Sequence, residues 1–123
     1  MKTIKTSAVA FFLSVFLMLS VSSFSQNARW YISSNTGQPW GSVSNTNGMN
    51  TVFGVGQWNA GFFQTIPSMT AICQPTTCFI FIEGGDGTAA LFNTFLQANL
   101  PTLQNWVANG GRLLINSAPN VGG

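Results

Sequence analysis

The sequence predicts an α/β domain, a three-layer sandwich around a mostly parallel sheet. Three observations carry that expectation. Residues 79–82, Phe-Ile-Phe-Ile, form a short run of β-branched and aromatic side chains, the composition of a buried strand. The run ends in the turn sequence Glu83-Gly84-Gly85-Asp86-Gly87. Residues 88–108 then place Leu91, Phe92, Phe95, Leu96, Leu100, Leu103, Trp106 and Val107 at intervals of three and four, the spacing of one helix face. Asn109-Gly110-Gly111 closes that helix with a left-handed cap, and residues 112–116 resume a β pattern. Two strands joined by a helical crossover run parallel, so this block is a β-α-β unit.

The remaining elements follow from the same signals. Residues 28–32, Ala-Arg-Trp-Tyr-Ile, read as a first strand. Residues 33–40 form a loop punctuated by Asn35, Gly37 and Pro39. Residues 45–58 carry Met49, Val52, Phe53 and Gly56 at helical spacing, with Ser44 or Asn47 as a cap, although three glycines weaken the pattern. Residues 62–66 read as a second strand, and residues 67–78 as a connection. Pro101 lies inside the long helical pattern; an interior proline costs about 3 kcal/mol, which predicts a kink or restart there. The resulting order of strands and helices is that of a flavodoxin-like sandwich.

Residues 1–25 read as a secretory signal peptide. Lys2 and Lys5 supply the positive start, residues 8–21 are apolar but for Ser14 and Ser20, and Ser23 and Ser25 place small residues before a cleavage point at Gln26. The alternative, an uncleaved anchor helix, is disfavoured because the apolar run falls short of the roughly 20 residues that a span requires. Residues 26–123 are thus expected outside the cell, secreted or at its surface, with no membrane association after cleavage. They end soon after a buried-type strand with no covering helix, so they are expected to form the N-terminal part of a larger domain.

In residues 26–123 two arginines, Arg29 and Arg112, balance two carboxylates, Glu83 and Asp86. The pI near 8.8 of the whole chain comes from the two signal lysines. Such neutrality excludes a basic nucleic-acid groove. Cys73 and Cys78 flank Gln-Pro-Thr-Thr, and export permits a disulfide between them. A bridge over so short a loop contributes about 2 kcal/mol in the chain-entropy model. The spacing is not that of a C-x-x-C redox pair. With no histidine and two cysteines in the chain, a zinc site is not expected. No cofactor is expected.

Several candidate chemistries converge on Glu83, Gly84, Gly85, Asp86 and Gly87. Backbone N–H groups in a glycine turn at a helix start can hold phosphate. Gly84-Gly85-Asp86-Gly87-Thr88 resembles the GGDGT signature of the diacylglycerol and NAD kinase superfamily, which implies a nucleotide-phosphate site. The resemblance covers five residues and a strand, and residues 26–123 contain no lysine to balance a triphosphate. Capping of the helix by Asp86 or Thr88 is the simpler reading. Glu83 and Asp86 stand too close on one turn to flank a sugar as an acid–base pair. They are also too few for a calcium site. A salt bridge from Glu83 to Arg29 or Arg112 is a further reading. Trp30, Tyr31 and Trp58 read as core aromatics, and Trp40, in a polar loop, as a candidate carbohydrate platform.

A wider resemblance spans roughly residues 28–120. The strand ending in Glu83-Gly84-Gly85-Asp86 and the helix end Trp106-Val107-Ala108-Asn109-Gly110-Gly111, followed by Leu113-Leu114-Ile115-Asn116, resemble the class I glutamine amidotransferase-like superfamily, which includes ThuA-like domains. That resemblance implies a flavodoxin-like fold. It also implies a catalytic cysteine just after residues 113–116, with histidine and glutamate partners further on. Ser117-Ala118-Pro119 stands at that position, and the chain has no histidine, so the implied Cys-His chemistry is not carried by these residues. Ser117 as a replacement nucleophile lacks a base. The expectation is a non-catalytic, exported binding or structural domain. Its ligand, a carbohydrate or another surface protein, would lie near residues 83–87 and 117–120. The alternative is a divergent hydrolase whose catalytic groups lie beyond residue 123.

Overall fold

A computed structural model describes residues 28–36 and 43–118. The strands are β1 (Ala28–Ser33), β2 (Asn59–Phe62), β3 (Thr77–Gly85) and β4 (Leu113–Ala118); the helices are α1 (Ser44–Phe53), α2 (Met69–Ile72) and α3 (Ala89–Ala108). All four strands pair in parallel, in the order β2-β1-β3-β4. This is the expected α/β fold, with the flavodoxin-like order as far as the fourth strand. The expected signal peptide (residues 1–25), Trp40 and residues 119–120 lie outside the described residues.

Strand register sorts the side chains onto two faces. Trp30 pairs with Ile80, Ile32 with Ile82, Ile80 with Leu113 and Ile82 with Ile115, so these residues share one face. That face packs on Met69 and Ile72 of α2 and on Phe92, Phe95, Leu103 and Trp106 of α3. Ile32, Ile80 and Ile82 are fully buried, each contributing about 1.5–3 kcal/mol over an exposed side chain. Tyr31, Phe81 and Leu114 share the opposite face, where α1 covers Tyr31 and Phe81 with Met49 and Phe53. The connection through α1 leaves β1 toward β2, whereas that through α3 leaves β3 toward β4. The two central strands therefore send their chains to opposite sides, and β1 and β3 flank the topological switch point.

The long helix ends as its sequence predicts. Gly110 has φ +95°, its N–H donates to the Val107 carbonyl at 2.9 Å, and Gly111 N–H donates to the Trp106 carbonyl at 3.0 Å. That pair of bonds is a Schellman cap. Pro101 neither ends nor restarts α3, which runs unbroken through it. The proline is exposed, so the Gln97 carbonyl that it deprives of a partner stands on the side open to water.

Three local expectations are corrected. The second strand is residues 59–62 rather than 62–66; after Phe62 the chain turns, with Thr65 and Ile66 N–H both donating to the Phe62 carbonyl. Residues 69–72, expected in a connection, form a helical turn because Ser68 Oγ accepts from Ala71 N–H at 3.1 Å and Met69 and Ile72 bury into the core. Helix α1 starts after Val43 with no side-chain cap, so neither Ser44 nor Asn47 serves there.

Candidate functional site

The site builds on the last residues of β1 and β3, at the switch point where open parallel sheets bind ligands. Glu83 pairs in register with Asn116 of β4 and lies on the α1 face of the sheet. It is 1% exposed. Its carboxylate accepts a hydrogen bond from the Tyr31 hydroxyl of β1 and another from the Asn45 side-chain amide of α1. One carboxylate thus ties two central strands to the first turn of a helix. Both donors are neutral, and hydrogen bonds to a charged acceptor are among the stronger ones. Burial, and then the hydrogen bond and negative charge of Glu83, hold the Tyr31 phenol far above its ordinary pKa, so it stays protonated and donating.

The expected arginine partner for Glu83 is replaced by this pair. Arg29 stands across from Phe79, four strand residues and about 13 Å from the Glu83 level. Its guanidinium lies 5.1 Å from the Phe53 ring centre and donates to the Gln57 carbonyl. Arg112 is exposed just before β4, at the same far end of the sheet. The two cations and Glu83 therefore occupy opposite ends of the strands.

Next to Glu83, the chain leaving β1 forms a hydroxyl- and amide-rich turn. Ser34 Oγ lies 2.8 Å from Thr36 Oγ1 and accepts from Thr36 N–H at 3.1 Å and from Gln64 Nε2 at 3.2 Å. Ser33 and Ser34 are buried, and Phe63 N–H donates to the Ser33 carbonyl at 2.9 Å. Glu83, Gly84 and Gly85, expected in the turn, are instead the last residues of β3, paired with β4, and this strand end is shaped by contact rather than by charge. A Cβ on Gly84 would stand 2.3 Å from the Phe92 side chain, so only glycine lets α3 approach here.

Thr88 occupies the helix N-cap position without capping it. Its hydroxyl instead donates to the Gly85 carbonyl at 2.8 Å, and Gly85 N–H points back to it at 3.3 Å. The threonine expected as a cap thus locks the glycine turn onto itself. Asp86 opens a single 3-10 turn, Asp86–Thr88, and Gly87 within it is exposed.

Ser117 is exposed on β4, beside Gly84, and Asn116 stands beside Glu83. The structure thus gathers Glu83, Gly84, Gly85 and Ser117 at one end of the sheet, and adds Tyr31, Ser33, Ser34, Asn45 and Asn116. Tyr31 and Asn45 went unrecognised because their role depends on strand register and on where α1 begins. Within β3 the spacing of Phe81 and Glu83 puts them on one face, but nothing in the sequence brings Tyr31 to that face.

Cys73 and Cys78 lie at the opposite end, and both are free thiols rather than the expected disulfide. The intervening turn is closed by other bonds: Thr77 Oγ1 donates to the Ile72 carbonyl at 2.6 Å, and Thr77 N–H to the Gln74 carbonyl at 2.9 Å. Burial pushes the Cys73 thiol up to about 11. Trp30, Tyr31 and Trp58 pack into the core as expected, with Trp58 Nε1 donating to Asn50 Oδ1 at 2.9 Å. Among the described residues no group of three or more metal-ligating side chains forms, and no helix is long and apolar enough to cross a membrane.

Among the described residues, concavities also lie away from the carboxyl ends of the strands. One, of about 390 Å³, runs between α3 and β4; another, of about 240 Å³, lies beside Cys73, Trp106 and Gly111. No protein-family model, curated protein or solved structure matches the chain. The fold and site define an α/β domain of flavodoxin-like topology with a hydrogen-bonded polar edge at its switch point.

Proposed function

We propose that the chain is an exported, non-catalytic binding domain of the amidotransferase-like class, whose ligand edge is formed by the carboxyl ends of β1, β3 and β4. One observation carries the reading. The carboxylate at the switch point is buried and held by Tyr31 and Asn45, so it acts as a brace beneath the edge rather than as an exposed acid or base. Above it the edge exposes Asn35, Thr36, Gly87 and Ser117, while Ser33, Ser34, Gly84 and Gly85 lie buried behind them; the exposed hydroxyls, amide and backbone are donors and acceptors that suit a neutral, hydroxylated ligand or a polar protein surface. Ser117, at the place where the resemblance implies a cysteine, is exposed beside Gly84 in a chain without histidine. A β3 that ends in two glycines, a Schellman-capped α3 and a short β4 support the amidotransferase-like assignment, which rests on these residue patterns.

The test is a binding screen of the exported protein against oligosaccharides and surface proteins, paired with an esterase and amidase assay. The reading expects a binder whose affinity drops at least about tenfold in Asn45→Ala, which loosens the brace, and no turnover. Turnover abolished by Ser117→Ala would replace it with the hydrolase alternative.

A further inference from the structure

The concavity beside Cys73, Trp106 and Gly111 lies at the amino ends of the strands, away from the polar edge. It forms where the turn at residues 73–77, leading into β3, meets the capped end of α3. Its volume of about 240 Å³ is the room of roughly eight water molecules at about 30 Å³ each. Among the described residues that line it, none is charged.

Most polar groups here are used by the fold. Thr77 Oγ1 donates to the Ile72 carbonyl, and the Asn109 side-chain amide donates to the Asn105 carbonyl at 2.7 Å. The Trp106 indole N–H is not used. Trp106 is 6% exposed; one side of it packs into the core, and Gly111 lies so close to the ring that a Cβ there would collide with it. Among the described residues no atom accepts a hydrogen bond from its Nε1, yet no buried side-chain nitrogen or oxygen lacks a partner. Nε1 is therefore a part of this ring that still reaches solvent, and the concavity is where Trp106 does so. A buried tryptophan ordinarily finds a partner for this group within the fold. Here the partner has to come from outside.

The rest of the lining narrows what that partner is. Cys73 is a half-buried free thiol, and burial keeps it protonated, so it adds a second, weak donor to the inner wall. At the rim Asn105 and Asn109 are exposed. The Asn109 nitrogen is engaged with Asn105, which leaves Asn109 Oδ1 as an acceptor. The wall thus offers donors within and an acceptor at the mouth, with Pro75 and the indole as apolar surface.

We infer that this concavity is a binding site for a small, neutral carboxamide, separate from the edge at the carboxyl ends of the strands. The carbonyl oxygen of the ligand accepts from the Trp106 indole N–H, its amide N–H donates to Asn109 Oδ1, and its hydrocarbon part lies on Pro75 and the indole. An ion fits poorly, because no charge in the lining offsets its desolvation. A wholly apolar molecule would displace water from the indole N–H without replacing the hydrogen bond, which loses affinity.

The probe is ε-caprolactam, a neutral lactam of matching size, titrated to about 50 mM into isotope-labelled exported protein and followed by NMR; a ligand this small is expected to bind with a millimolar Kd. The indole N–H of Trp106, assigned through its proximity to Gly111, should shift and saturate, while those of Trp30, Trp40 and Trp58 stay in place. Asn109→Ala, at an exposed position, should keep the backbone amide spectrum of the sheet and raise the Kd about fivefold, the loss of one hydrogen bond. A Trp106 indole N–H that does not move overturns the inference. So does a linear drift shared by all four indoles, or an unchanged Kd in Asn109→Ala.

Discussion

Replacing Tyr31 by phenylalanine removes one oxygen from the strand-end brace and little else. The ring keeps its edge-on contact with Trp58, 6.1 Å between centroids, and its tilted contact with Phe81 at 5.1 Å. What is lost is the hydrogen bond to a carboxylate that is 1% exposed. A bond to a charged acceptor contributes about 1.5–3 kcal/mol, and a buried acceptor left short of a donor costs at the upper end of that range. We take about 2 kcal/mol. For a domain of this size that lowers Tm by about 8–16 °C, at 4–8 °C per kcal/mol. Thermal and urea melts of the exported protein measure it. A double-mutant cycle with Glu83→Gln separates the bond from the ring: the coupling should exceed about 1 kcal/mol. A loss below about 0.5 kcal/mol, or strict additivity in the cycle, would show that Tyr31 and Glu83 merely lie side by side.

Four further outcomes follow from the same geometry. Gly84→Ala forces a methyl against Phe92 and should cost about 1–3 kcal/mol in urea denaturation, with Phe92→Leu in the same chain restoring part of the loss. Leu103→Ala empties a fully buried site between α3 and the sheet and should cost about 2–5 kcal/mol; a loss under 1 kcal/mol would place Leu103 outside the core. Gly110→Ala strains a backbone at φ +95° and should cost about 1–2 kcal/mol, read from the same melts. Both cysteines should alkylate in unreduced, denatured protein. In the folded state Cys73 should react only as pH climbs toward 11, because burial disfavours its thiolate. The sign for stability follows: the folded pKa is raised, so this group's contribution is intact below pH 9 and is lost as pH rises toward 11.

Much of the fold was legible because its signals are local. The apolar β run at residues 79–82, the three-and-four spacing of α3 and the Asn109-Gly110-Gly111 cap each act within a few residues; the strand, the helix and the cap form there, although Leu91, Leu100 and Val107 of the spaced set stay exposed. The misreadings arose where tertiary contacts decide. The aromatic run at residues 62–66 has strand composition, yet β2 ends at Phe62, where the chain turns back on the Phe62 carbonyl. Pro101 has the chemistry of a helix breaker, but α3 is held on the sheet on both sides of it, by Phe92 and Phe95 before and Leu103 and Trp106 after. At the site, a turn before the helix could be read from the chain, although it begins at Asp86 and leaves Glu83–Gly85 in β3, whereas the partners of Glu83 could not. Tyr31 reaches it from 52 residues away and Asn45 from 38, through strand register and helix placement that no short motif encodes.

The claim that the carboxyl ends of β1, β3 and β4 form the binding edge is tested most directly by a backbone amide NMR titration with a panel of mono- and oligosaccharides and with any surface protein found in the screen. The account predicts shifts concentrated at Ser33, Ser34, Gly84, Gly85, Asn116 and Ser117. Shifts concentrated instead at Arg29, Gln57, Thr77 and Arg112, the far end of the same strands, would contradict it.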